Sequence, residues 1–310
     1  MIVVLQRLRW LLGAAVLALA GIMLWRQVQA LSLADVRLAW ATTSPGAIAV
    51  ALLGTAVSFA CLAAFEVVAT RRAVPGRVPV IVALQVGAVS HAIANTLGFH
   101  ALSGGAMRLR GYRRFVLGVA DVARVVAVVA ACVAVGVVTI AAIELLWLQV
   151  ATRALTQAWM LAVVLGLVGA GVAIVWRTRT ARLGTSAAWP LLMRDAGWVS
   201  LLGALEMAAA IGSLYVLLPA GAAPPLAAFV LVCVGAMLLG IVSHAPGGVG
   251  VFEAAILAAL PGARHAEGLV ALLLYRLLYN LLPFALATTS LLVASARSGR
   301  RLAGSVGGRV

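Results

Sequence analysis

The sequence contains no lysine, only eight acidic residues, and only 10% charged residues in all. A soluble domain carries about a quarter, so this chain lacks the charge to clothe a water-facing surface. Long polar stretches are missing too. Its apolar segments leave only short connections, which excludes a soluble enzyme, a nucleic-acid-binding module and a receptor with a folded ectodomain. Cysteine is scarce: Cys61, Cys132 and Cys233 each sit inside an apolar run, without pairing or metal-ligand spacing, and read as buried thiols. There is no His/Cys cluster, no nucleophile with a base and an oxyanion hole, and no ATP-binding motif. The expectation is a protein that is not an enzyme and carries no cofactor or metal.

What is present is hydrophobicity, 65% of residues with a mean hydropathy of +1.14. The net charge of +15 comes from 23 arginines placed mostly between apolar segments. There they anchor helix ends and set topology, so the charge speaks of membranes and not of nucleic acid. A spanning helix takes about 20 apolar residues. On that measure the spans fall near 10–25, 46–70, 78–97, 116–146, 157–176, 196–218, 226–244 and 268–295. The fold class is therefore all-α, a polytopic membrane helix bundle of about eight spans over a single domain, 1–310, with a short basic tail at 297–310. Arg7 and Arg9 before an apolar run, with Val28, Gln29 and Ala30, also match a cleavable signal peptide. A first spanning helix followed by an amphipathic stretch at 31–40 fits better, because everything downstream is also apolar.

Two further segments, 98–114 and 245–262, are apolar but broken by Gly and Pro. If the first dips into the membrane and returns, one face collects most of the arginines, including Arg71, Arg72, Arg77, Arg108, Arg110, Arg113 and Arg114, as the positive-inside rule requires of the cytoplasm. Both termini are then cytoplasmic, and the second break opens from the opposite side. Ser90, His91, Ala92 and Phe99 recur at a constant offset as Ser243, His244, Ala245 and Phe252. The halves 46–146 and 196–296 would form an inverted repeat, an arrangement in which broken helices build a midplane site.

In the first break, Gly98, Gly104 and Gly105 let the backbone leave helical geometry, and a helix restarting after Gly105 would offer its N-terminus to an anion. Arg108 and Arg110 add phosphate-binding forks, while Asn95, His100 and Ser103 supply neutral hydrogen bonds. In the second, Pro246 ends a helix, Gly247 and Gly248 permit an unwound turn, and Glu253 falls in the first turn of the next helix, where the dipole favours an acid. Asp121 and Arg124 share a helix face at i, i+3. Glu66, Glu206 and Arg276 have no partner nearby in sequence. Pairing of Glu253 with Arg276 would be structural, whereas an unpaired acid facing a cavity would suggest ion coupling. His91 and His244 open the two breaks and read as satisfied polar contacts more readily than proton shuttles.

Three stretches carry a resemblance: Gly98-Phe-His-Ala-Leu-Ser-Gly-Gly-Ala-Met-Arg-Leu-Arg-Gly-Tyr112, Ala245-Pro-Gly-Gly-Val-Gly-Val-Phe-Glu253 and Leu274-Tyr-Arg-Leu-Leu-Tyr-Asn-Leu-Leu-Pro-Phe284. Together they resemble the motifs of the bacterial lysylphosphatidylglycerol synthase transmembrane (flippase-like) superfamily, or UPF0104 family, over roughly residues 10–296. In the fused members a cytoplasmic aminoacyl-transferase domain accompanies this membrane part. The resemblance to this chain covers the flippase-like part alone. It implies translocation of a polar lipid, of phospholipid or hopanoid class, in the bacterial inner membrane; the composition, arginine without lysine, resembles GC-rich bacterial coding. Headgroup contacts would come from Asn95, His100, Ser103, Gly104, Gly105, Arg108 and Arg110. A gate or cavity would draw on His91, Asp121, Arg124, His244, Pro246, Gly247, Gly248, Glu253, Tyr275 and Arg276. The partners implied are membrane lipids, anionic phospholipid foremost, and a membrane or lipid-synthesis protein. The competing expectation is an accessory or regulatory membrane subunit that holds a lipid or a partner without moving it.

Overall fold

The computed structural model describes residues 43–98, 100–152, 195–218, 221, 224–242, 250–260 and 265–306. All regular structure among them is helical. Helix α1 (Pro45–Ala73) starts on Ser44, whose side chain accepts the Ala47 N–H at 3.2 Å, with Pro45 occupying the first turn. It stops just before Pro75. Helices α2 (Val80–Leu97), α3 (His100–Gly111), α4 (Val119–Thr152), α5 (Ala196–Tyr215), α6 (Leu226–Val242), α7 (Val251–Ala258) and α8 (His265–Tyr275) follow. A π-helical turn, Arg276–Leu281, then leads without a break into α9 (Leu282–Val306).

Among the described residues five stretches are long and apolar enough to cross a membrane, Pro45–Ala73, Val80–Leu97, Val119–Trp147, Ala196–Tyr215 and Glu267–Ser295, and Leu226–Gly240 is a shorter apolar helix. The chain is a multi-pass helical membrane protein. The expected spans near 10–25 and 157–176 lie outside the described residues, as do Phe99, His244, Pro246, Gly247 and Gly248.

Helix α1 is central, packed against α2, α4 and α5. At the α4–α5 crossing two glycines replace side chains: a Cβ on Gly203 would lie 2.3 Å from the Gly136 Cα. Backbones can approach that closely only where both residues are small.

The first break is a hairpin. At Gly98, with φ +74° and ψ −166°, the chain turns through a conformation reserved for glycine. It turns back as α3, antiparallel to α2: Gly104 lies against Ala94 and Ser90, and Gly111 against Val86. The loop after α3 ends near where α2 began, because Arg77 donates to the Val116 carbonyl and to Asp121, both at 2.9 Å. The α2–α3 hairpin as a whole thus enters and leaves at the same end of the bundle. Arg72 on Asp195 brings the start of α5 to that end as well.

One expectation is corrected. The helix restarts at His100 and not after Gly105, and Gly104 and Gly105 lie inside it. Gly104 serves a close approach instead of a break: a Cβ there would stand 2.9 Å from Arg108 Nη1.

Candidate functional site

Helix α3 carries Arg108 inward and Arg110 outward, two positions apart on a 3.6-residue period. Arg108 is 3% exposed and grips Glu66 of α1. Its Nε donates to both carboxylate oxygens at 3.0 Å and its Nη2 to Oε2 at 2.7 Å. The Tyr112 hydroxyl donates to Oε1 at 2.7 Å, and His91 Nε2 lies 3.4 Å from Nη2. Two glycines make the space. A Cβ on Gly87 would meet the Glu66 Cβ at 2.6 Å, as one on Gly104 would meet the guanidinium. Arg108, expected as a phosphate fork, has its fork spent on a carboxylate.

The neutral headgroup candidates are committed locally too. His100 Nε2 and Asn95 Oδ1 are 3.0 Å apart across the hairpin tip, and Ser103 donates to the Gly98 carbonyl at 2.8 Å.

Arg110 is different. It is exposed, has no ion pair among the described residues, and lines a groove of about 430 Å³ between α2, α3 and α9. Gln85, Val86, Val89, Met107 and Leu291 form the walls, and Arg114 stands beside Arg110 at the same end of the bundle. A largely apolar trough bearing two guanidinium groups suits an acyl chain with an anionic headgroup.

A second polar centre surrounds the π turn. A single π-helical turn inside an α-helix often marks function, and Pro283, which has no N–H to donate, helps set its place. The turn reaches three elements. Arg276 pairs with Glu253 of α7, and the Gly250 N–H donates to the other oxygen of that carboxylate at 2.7 Å. Glu253 therefore both caps α7 and neutralises Arg276. Asn280 donates to the Asn95 carbonyl at 3.3 Å and accepts from the Thr96 hydroxyl at 3.1 Å. Tyr279 meets Ser58, hydroxyl to hydroxyl, at 2.7 Å, and Ser58 donates to Glu206 at 2.9 Å. Tyr275 stacks between Phe252 and Tyr279. The entrance to the first break and Glu253 within the second are thus fastened to one six-residue segment.

Asp121 and Arg124 lie apart from this centre. Asp121 accepts from Arg77, Arg124 and the Gly118 N–H and fastens the loop before α4. Expected as gate residues, they are a loop clasp at the arginine-rich end. Ser58, Tyr279, Asn280, Gln85 and Met107 have no role that can be read from the sequence. The nearest signals to them are the mid-span acids Glu66 and Glu206 with no local partner, and the Asn280-Leu-Leu-Pro283 spacing.

No family model matches the chain. It is 30% identical over 242 residues, 71% of its length, to a protein of Synechocystis sp. (strain ATCC 27184 / PCC 6803 / Kazusa) described as the uncharacterized protein slr0712, of which the match covers 72%. The chain belongs to that protein's family. The match leaves the activity of the family to be argued from the side chains above.

Proposed function

We propose that this protein moves a polar lipid between the leaflets of the bacterial inner membrane, as its resemblance to the flippase-like lysylphosphatidylglycerol synthase transmembrane superfamily implies. In this reading it has eight spans, an inverted-repeat plan and both termini in the cytoplasm. The observation that carries the reading is the groove between α2, α3 and α9, whose largely apolar walls bear Arg110 and Arg114. A translocator needs a polar contact for the headgroup while the acyl tails stay in lipid. Arg110 supplies the contact and Val86, Val89, Met107 and Leu291 the apolar track. The buried pairs Glu66–Arg108 and Glu253–Arg276 supply polar surface along the interior without leaving a bare charge in the membrane.

One observation favours the rival reading, an accessory subunit that holds a lipid. The groove is lateral, and among the described residues the interior ionic groups just named are satisfied by protein. Transport then requires a second conformation. Reconstitution into vesicles with spin-labelled phosphatidylglycerol separates the two. Transbilayer movement that is lost in Arg110→Gln supports the translocator. Binding without movement favours the subunit, and neither binding nor movement across several lipids sinks both.

A further inference from the structure

Among the described residues the acidic side chains divide by what answers their charge. Of seven, Glu66 faces Arg108, Glu253 faces Arg276, Asp195 faces Arg72, and Asp121 faces Arg77 and Arg124, while Glu267 is exposed and Glu144 is half-buried towards the end of α4. Glu206 is 3% exposed, in the middle of α5, and among the described residues no basic side chain comes within salt-bridge reach of it. Hydroxyls serve it instead. Its Oε1 accepts from Ser58 at 2.9 Å and from Tyr279 at 3.4 Å, and those two hydroxyl oxygens are 2.7 Å apart. The other titratable side chains in electrostatic reach are Cys61 on α1 and Tyr275 on α8, neither of them a cation. Helix α4 meets α5 one turn away through Gly136 and Gly203, which bring no charge.

With no cation beside it among the described residues, an ionised carboxylate in this position is a negative charge inside the bundle answered only by hydroxyls, which burial strongly disfavours. The neutral acid keeps the same hydrogen bonds and gains a donor. Three oxygens from three helices, α1, α5 and the π turn, make a short relay along which a proton can move, with only O–H bonds made and broken. The third oxygen is conditional. A π turn holds its register through a longer i→i+5 bond, here the Leu282 N–H on the Leu277 carbonyl. Resetting that turn to α geometry swings Tyr279 away, together with Arg276 and Asn280.

We propose that Glu206 is a proton-binding site, and that movement of the π turn carrying Tyr279 exchanges its proton with water, coupling one proton to each cycle of lipid movement. The coupling rests on the function proposed above; the proton site does not.

Infrared difference spectroscopy on the purified full chain tests the site. A protonated-carboxyl C=O band should be present at neutral pH, shift in D₂O, survive in Asp121→Asn and disappear in Glu206→Gln. No band in the wild type, or a full band in Glu206→Gln, overturns the site. Ser58→Ala keeps the carboxyl and removes one hydrogen bond, so the band should move to higher frequency even if Glu206→Gln fails to fold. An unmoved band overturns the relay. In phosphatidylglycerol and phosphatidylethanolamine vesicles, an imposed pH gradient should change the rate of spin-labelled phosphatidylglycerol movement several-fold in the wild type and leave Glu206→Gln unaffected. Equal gradient dependence in both overturns the coupling. No movement in the wild type overturns the lipid reading and the coupling together, while the infrared band judges the proton site alone.

Discussion

Replacing Arg108 by methionine removes the guanidinium from a side chain 4% exposed and leaves a carboxylate, itself 0% exposed, held among the described residues by Tyr112 alone. Removing one partner of a buried ion pair costs about 3–5 kcal/mol, because the other charge stays behind unanswered. That is roughly two to three and a half decades in the folding equilibrium. Glu66→Met should cost a similar amount, since it strands Arg108 beside His91. The double variant Glu66→Met/Arg108→Met replaces both charges by apolar groups and should lose much less than the sum, with a coupling of several kcal/mol. Unfolding by denaturant in mixed micelles measures all four corners of the cycle. Arg110→Met, on the exposed side of the same helix, should stay within about 0.5 kcal/mol of the wild type. An Arg108→Met protein that unfolds with the wild type, yet no longer binds phosphatidylglycerol, would refute this assignment and return Arg108 to phosphate duty.

Gly98→Ala forces a side chain into φ +74°, ψ −166° and should cost about 1–3 kcal/mol, read as a lower melting temperature in detergent. Gly203→Ala places a Cβ 2.3 Å from the Gly136 Cα and should destabilise by about 1–3 kcal/mol, whereas Gly197→Ala, with open space around it, should not. Asn280→Leu removes the side-chain amide bond to the Asn95 carbonyl while leaving the residue-280 backbone carbonyl that accepts from the Thr96 hydroxyl. It should raise hydrogen exchange at the hairpin tip around Gly98 above the rate in wild type.

What was legible in the sequence is what local rules carry. Apolar runs of membrane length give the helices, since α1, α2, α4, α5 and the stretch Glu267–Ser295 each begin and end within a few residues of the boundaries hydropathy sets. Gly98, the first glycine of the broken segment, marks where the chain turns back along α2. The failures are equally physical. Glu66 and Arg108 stand 42 positions apart, and Ser58 and Glu206 stand 148 apart. No periodicity joins residues whose meeting is decided by which helices pack. Arg108 and Arg110 read alike as a phosphate fork, but two steps along a helix send one side chain inward and the other out. Gly104 reads as a backbone break because a glycine in sequence does not say whether it is wanted for its freedom or for its lack of a Cβ. The π turn left a trace in Pro283, but only the assembled bundle shows three elements fastened to it.

The groove and the Glu206 centre are joined by one piece of chain. Helix α9 begins where the π turn ends and supplies Leu291, Ala294 and Ser295 to one side of the groove. Converting the π turn to α geometry moves the helix beyond it by about one residue, roughly 1.5 Å of rise and 100° of rotation. The opposite wall, α3, resists such a shift, because Arg108 is clamped to Glu66 and Gly104 and Gly111 are pressed against α2. One wall moves and the other is fixed. A lipid wedged against α9 would therefore bias the register of the same turn that brings Tyr279 to Glu206. On the proposed mechanism lipid occupancy and proton occupancy are linked through a continuous helix, and the linkage runs both ways: an occupied groove should alter the infrared band of Glu206, and Glu206→Gln should alter the affinity of the groove for phosphatidylglycerol.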